Sequence, residues 1–278
     1  MIEINKISYQ YKKSHKMVFT DFSLTIPKGN VCGLLGKNGA GKSTLLYLIS
    51  ALLRTQKGSI TFNGQNVWKR KPELLQEIFI VPEEFDLPAI SLQQYINTNA
   101  PFYPNFNKEL MNECLKDFEL TPDLNLGQLS MGQKKKVYIC FALATGVQLL
   151  IMDEPSNGLD IPSKSQFRKV VSRCMTDERT ILISTHQVKD VEMLLDHIII
   201  IENSQVLLNA NIGEIANAFS FEFVQGGEMP EDAIFCLPTI GGAAVVRPNT
   251  ENRETQIDLE MLFNACIANP QKFNNLKK

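Results

Sequence analysis

Two clusters of residues in this sequence have the types and spacing needed for chemistry on a phosphate. The first is Gly36-Lys37-Asn38-Gly39-Ala40-Gly41-Lys42-Ser43-Thr44. Glycines at these steps let successive backbone N–H groups turn inward around phosphate oxygens, and a helix beginning at the lysine adds the positive end of its dipole. Lys42 would reach the β- and γ-phosphates as a point charge, and the Ser43 hydroxyl would ligate Mg²⁺. At average residue frequencies the bare pattern arises in roughly one chain of this length in a hundred, so its flanks must decide its meaning. The second cluster is Leu149-Leu150-Ile151-Met152-Asp153-Glu154, an apolar run that ends in two acids. An acid in a core strand is disfavoured by desolvation, so carboxylates at its C-terminal end are expected to face a ligand or a metal. Asp153 is then the Mg²⁺ partner, through water, and Glu154 the base for an attacking water.

These residues need rigid elements to hold them. Val31 to Leu35 is an apolar strand-like run that stops at the glycine turn, and Leu45, Leu46, Leu48, Ile49, Leu52 and Leu53 follow at helical spacing. The order strand, glycine loop, helix is the context in which such a loop binds phosphate. Further apolar runs at Leu149 to Met152, Ile181 to Ser184 and Ile198 to Ile201 alternate with helical segments, as in a parallel α/β sheet. Ahead of the loop, Ile2, Ile4, Ile7, Tyr9 and Tyr11 read as half-buried strands at the edge of a domain. From Phe85 to Gly127 helical periods are broken by Pro88, Pro101, Pro104 and Pro122, which marks a small helical insertion. Beyond about Gly213 come short alternating strands and a final helix with Leu259, Leu262, Phe263, Cys266 and Ile267 on one face.

The chain has 278 residues, 44% hydrophobic and 21% charged, enough for a sizeable core. Its net charge of -2 gives no field that would gather nucleic acid or an anionic bilayer. The six cysteines form no CxxC pair and read as reduced core residues, not as metal ligands. No apolar run approaches the roughly 20 residues of a bilayer span, so no direct membrane insertion is expected and any membrane link must come through a partner. The N-terminus has no apolar leader, which points to the cytosol.

Leu129-Ser130-Met131-Gly132-Gln133 stands ahead of the acidic strand and resembles the LSGGQ signature of the ATP-binding subunits of ABC transporters. Most proteins with a phosphate loop lack that motif. Ser156-Asn157-Gly158-Leu159-Asp160 is similar to the family's D-loop, His186 to its switch histidine, and Tyr11 to the aromatic residue placed against adenine, with Tyr9 as a competitor on the same face. The resemblance covers about residues 1–210. It implies an α/β fold: a P-loop NTPase, RecA-like core with an antiparallel β subdomain, an inserted helical subdomain at about 85–129 within an ATPase domain of residues 1–212, and a small C-terminal α+β extension over 213–278. It also implies two ATPase subunits, as homodimer or heterodimer, that sandwich ATP between the P-loop of one and the signature turn of the other. Ser130, Gly132 and Gln133 would contact phosphate in trans, Asp160 would join the two sites, and His186 would position the γ-phosphate.

Two positions depart from the family pattern. Met131 replaces the first glycine of the signature, leaving Ser130 and Gly132 in place. After the strand Ile78 to Val81, Glu83 stands where the family has the Q-loop glutamine, a Mg²⁺ contact, with Glu84 and Gln76 as other alignments. A carboxylate there adds negative charge beside the triphosphate. Lys134-Lys135-Lys136 is expected to be a solvated helix face, and His15 and His197 surface and strand-edge residues.

The function implied is an ATP-hydrolysing subunit that works with separate transmembrane permease subunits on the cytoplasmic face of the membrane. Phe102-Tyr103-Pro104-Asn105-Phe106 and Leu259-Glu260-Met261-Leu262-Phe263 are similar to bacterial exporter ATPases of the drug, lantibiotic or antibiotic-resistance type. The alternatives are a non-transport ABC ATPase, such as an iron-sulfur assembly scaffold, and a regulatory nucleotide-binding module without turnover.

Overall fold

The computed structural model describes residues 1–12, 16–225 and 230–277, so His15 lies outside the described residues. Antiparallel strands β1 (Ile2–Gln10) and β2 (Met17–Ile26) precede β3 (Val31–Leu35) and helix α1 (Lys42–Ile49). Then come β4 (Lys57–Phe62), β5 (Gln65–Asn66), α2 (Pro72–Leu75) and β6 (Ile78–Val81). Helices α3 (Leu92–Asn99), α4 (Lys108–Asp117) and α5 (Met131–Ala144) lead into β7 (Leu149–Asp153), α6 (Ile161–Arg173), β8 (Thr180–Ser184), β9 (His197–Glu202) and β10 (Gln205–Asn211). The chain ends with α7 (Ile212–Ala218), β11 (Phe219–Gln225), β12 (Phe235–Thr239), β13 (Gly242–Pro248) and α8 (Leu259–Ala268).

The central sheet has the order β10-β9-β3-β8-β7-β6, parallel except for the edge strand β10. Every residue of β7 and β8 is buried, because both faces of the sheet are covered. The period of two divides them: Leu149, Ile151, Leu182, Ile199 and Ile201 join the core of α1 and the antiparallel sheet β2-β1-β4-β5. Leu150, Met152, Ile181, Ile183, Ile198 and Ile200 join the core of the remaining helices. The parallel register carries the ends of β3, β7 and β8 to one edge, so the glycine loop, the two acids and His186 leave the sheet side by side.

The region read as a helical insertion is centred on Phe141 of α5, fully buried and ringed by Phe79, Tyr95, Tyr103 and Phe106 at centroid distances of 5.1 to 6.3 Å. Phe102 is excluded from this cluster and is 69% exposed. The C-terminal sheet, in the order β11-β13-β12, lies under α8, and its buried side chains (Phe219, Val246, Leu262, Cys266) belong to the same continuous core as β9 and α5. Phe273 stacks on Phe219 with centroids 4.7 Å apart.

Truncating Phe141 removes the common partner of four rings, so Phe141→Ala is expected to destabilise the protein by about 3–5 kcal/mol in urea denaturation. A loss below about 1 kcal/mol would show that the aromatic cluster does not anchor α5.

Candidate active site

The loop after β3 reaches its shape through glycine. Gly41 has φ 99°, and a Cβ there would approach Phe19 and Val18 to 2.9 Å, so neither backbone nor packing admits a side chain. Gly41 is the N-cap of α1 and supplies no side-chain cap, leaving the first N–H groups of that helix open to the loop. Lys42 folds back over the loop and donates from Nζ to the carbonyls of Gly36 at 2.8 Å and Lys37 at 3.4 Å. Burial pushes its ammonium pKa down, against the opposing charges of Glu154, Asp153 and Glu83.

The loop forms one wall of a cavity of about 510 Å³, lined by Asn38, Gly39, Gly41, Lys42, Ser43 and Thr44 with Tyr11, Val18, Glu83, Glu154 and His186. Tyr11 is 40% exposed there and its Oη lies 3.0 Å from Thr44 Oγ1, whereas Tyr9, packed edge-on beneath it, is buried in the core. Tyr11 lines the cavity and Tyr9 does not.

Asp153 ends β7 at 1% exposure. Ser184 Oγ donates to its Oδ1, while its Oδ2 has no hydrogen-bond partner among the described residues. Burial pushes this carboxyl pKa up, partly offset by Ser184 and Ser43. A buried carboxylate oxygen with a free lone pair beside the Ser43 hydroxyl fits a hard divalent cation such as Mg²⁺.

Glu154 follows in the left-handed region, φ 47°, its N–H donating to Ser184 O at 3.0 Å. Its side chain is held from β8's end: Thr185 Oγ1 donates to Oε2 at 3.1 Å, His186 N donates to Oε1 at 3.0 Å, and His186 Nδ1 stands 2.8 Å from Oε1. Since an ionised carboxylate only accepts, the His186 ring carries its proton on Nδ1. The arrangement is an aimed carboxylate facing a phosphate-shaped loop.

Other expected residues lie elsewhere. Ser130 and Gln133 form a reciprocal capping box at the start of α5, Gln133 N donating to Ser130 Oγ at 3.3 Å and Ser130 N to Gln133 Oε1 at 3.1 Å. Ser130 is exposed and outside the cavity, as is Asp160, which caps α6 by accepting from Ser163 N at 2.9 Å. A Cβ at Gly132 would meet only Gly158 O, at 3.4 Å. Glu83 reaches the cavity rim and accepts from Asn157 Nδ2 at 3.0 Å.

Two expectations are corrected. The lysine run is not a solvated face: Lys135 is buried at 7% exposure and donates to main-chain carbonyls, while Lys134 pairs with Asp86 at 3.2 Å. The signal was present, because Lys135 stands four residues before Ile139 and seven before Ala142, on the buried stripe of α5. His197, the first residue of β9, is not a surface residue: it is buried, and its Nε2 lies 2.8 Å from Asn209 Oδ1. Burial lowers its pKa.

A protein-family model described as ABC transporter matches residues 19–157, a span that includes the glycine loop, Glu83, Ser130 and both acids. The chain belongs to the ABC transporter family. This ABC ATPase is 33% identical over 216 residues to the ABC transporter ATP-binding protein NatA of Bacillus subtilis (strain 168), covering 74% of this chain and 88% of that protein. It is 31% identical over 226 residues to the zinc uptake system ATP-binding protein ZurA of Listeria innocua serovar 6a, covering 77% and 87%. A solved structure titled "Structure of ATP binding subunit of ABC transporter" superposes with a TM-score of 0.69 at 25% identity, covering 77% of this chain and 91% of that one. The ABC ATPase is therefore an ATP-binding, ATP-hydrolysing transporter subunit on a P-loop fold.

The raised pKa of Asp153 means that its ionised form costs folding stability. That cost is absent below the ordinary aspartate value of 3.8, sets in as pH rises through it, and is complete above the raised folded value. Asp153→Asn, which keeps the acceptor for Ser184, is expected to raise the melting temperature of the nucleotide-free protein in EDTA at neutral pH by a few degrees. The gain should shrink as the buffer is taken toward pH 4; an unchanged or lower melting temperature at neutral pH would contradict this balance.

Proposed function

We propose that this ABC ATPase works as a pair, with itself or with a near relative, and that ATP is clamped between the glycine loop of one subunit and the Ser130 turn of the other. The observation that carries this reading is the Glu154 carboxylate, held by His186 at 2.8 Å in the same cavity as Lys42. The exposure of Ser130 and Gln133, with the half-buried Gly132 between them at the start of α5, supports their contact with phosphate across the pair, with Asp160 at the start of α6.

In the proposed mechanism Tyr11 packs against adenine, and the backbone from Gly36 to Thr44 wraps the phosphates. Lys42 leaves the carbonyls of Gly36 and Lys37 for the β- and γ-oxygens. Ser43 and Asp153 would hold Mg²⁺, which would supply positive charge to the phosphate oxygens, while Glu83 stays on the cavity rim, hydrogen-bonded to Asn157. Glu154 takes a proton from the attacking water as the new O–P bond forms and the bridging bond to the β-phosphate breaks. His186 keeps the Glu154 carboxylate aimed and offers its ring to the γ-phosphate.

We assign the nucleotide chemistry to residues 1–212, including the helical insertion, and an accessory role to 213–278. The subunit is proposed to dock on separate transmembrane permease subunits from the cytoplasmic side; among the described residues no helix is long and apolar enough to cross a membrane. Phe102, exposed at the rim of the aromatic cluster, is the proposed contact. For direction we propose export, on the similarity of the Phe102 to Phe106 and Leu259 to Phe263 segments to bacterial exporter ATPases.

Glu154→Gln is expected to slow steady-state hydrolysis about 10²- to 10⁴-fold while ATP-driven dimerisation persists. An unchanged rate would remove Glu154 from the role of base. Phe102→Glu should leave hydrolysis by the isolated protein intact and prevent co-purification of the membrane subunit in mild detergent; retention of the complex would place the docking contact elsewhere.

A further inference from the structure

The described residues contain two buried lysines, Lys42 and Lys135, and the proposed mechanism uses only the first. Burying an ammonium is costly unless its charge is used, and a methionine would fill the same space on α5 without that cost. Lys135 does not line the cavity. Its Nζ donates to Asn157 O at 2.9 Å and to Glu154 O at 3.3 Å, and the carbonyl of Glu154 also accepts from Asn157 N at 3.1 Å. The side chain of Asn157 then donates to Glu83 Oε1 at 3.0 Å.

One cation therefore fixes the left-handed turn that aims Glu154 and, through Asn157, reaches the carboxylate that this chain carries on the cavity rim. The negative charges of Glu83, Glu154 and Asp153 in turn favour the charged form of Lys135 against the cost of burial. A carboxylate free to swing beside a triphosphate would repel it.

We propose that Lys135 is a positioning residue for ATP binding: through Asn157 it tethers the Glu83 carboxylate, and so prevents that charge from turning toward the triphosphate. The inference rests on reading the cavity as the ATP site. It goes further by making tolerance of an acid at position 83 depend on a lysine of α5.

The test is calorimetric Mg²⁺-ATP affinity of the full chain in two backgrounds. Lys135→Gln keeps an N–H donor but removes the charge; it is expected to weaken binding about tenfold in the natural sequence and about threefold or less with Glu83→Gln present, because the freed carboxylate causes most of the loss. An equal loss in both backgrounds, or no loss in either, overturns the proposal. Should Lys135→Gln not fold, Asn157→Ala cuts the tether from its other end and must show the same dependence on Glu83. If the unaltered chain bound ATP and Lys42→Ala abolished it while these comparisons failed, only the role of Lys135 would fall; if the unaltered chain bound none, the reading of the cavity would fall with it.

Discussion

A strand that ends inside a protein with two adjacent carboxylates is unstable by itself, and the active edge of this ABC ATPase is organised around holding that strand end in place. Asp153 is satisfied on one oxygen by Ser184 from the neighbouring strand and left open on the second. Glu154 escapes the strand by a left-handed turn and is gripped from the neighbouring strand end by Thr185 and His186. The charges are tolerated because each is met by donors fixed in advance, which is also what a site needs to bind a metal and direct a water without rearranging.

The parallel sheet makes this arrangement possible. Glycine loop, acids and histidine are far apart in the chain, yet all follow the C-terminal ends of β3, β7 and β8, which lie side by side. The apolar residues that seem merely to fill these strands fix the register: one set packs on α1, the other on the remaining helices. A slip by one residue would exchange the two sets and point Asp153 away from Ser43.

Much of this was legible in the residues themselves. Val31 to Leu35 followed by the glycine loop, and the apolar run into Asp153 and Glu154, encode both the local structure and its chemistry, because buried acids and consecutive glycines have few structural uses. Contacts that depend on tertiary neighbours were not legible. For Lys135 the helical spacing marks the buried stripe of α5, but the main-chain carbonyls of Glu154 and Asn157 that accept its charge become visible only in the fold. His197 reads as a surface residue because its partner, Asn209, lies across a hairpin. The Ser130 turn is a self-satisfied cap within this chain, so its geometry by itself displays no role beyond starting α5.

The C-terminal layer carries a consequence of its own. Leu262, Cys266 and Phe273 are buried against the same core as β9 and α5, and Lys189, three residues past His186, is ion-paired with Glu260 of α8 at 3.2 Å. A version of the molecule trimmed after β10 would bare a greasy flank and lose the brace behind the histidine loop at once. The tail is thus mortar as much as appendage, joined through α8 to the segment that follows His186.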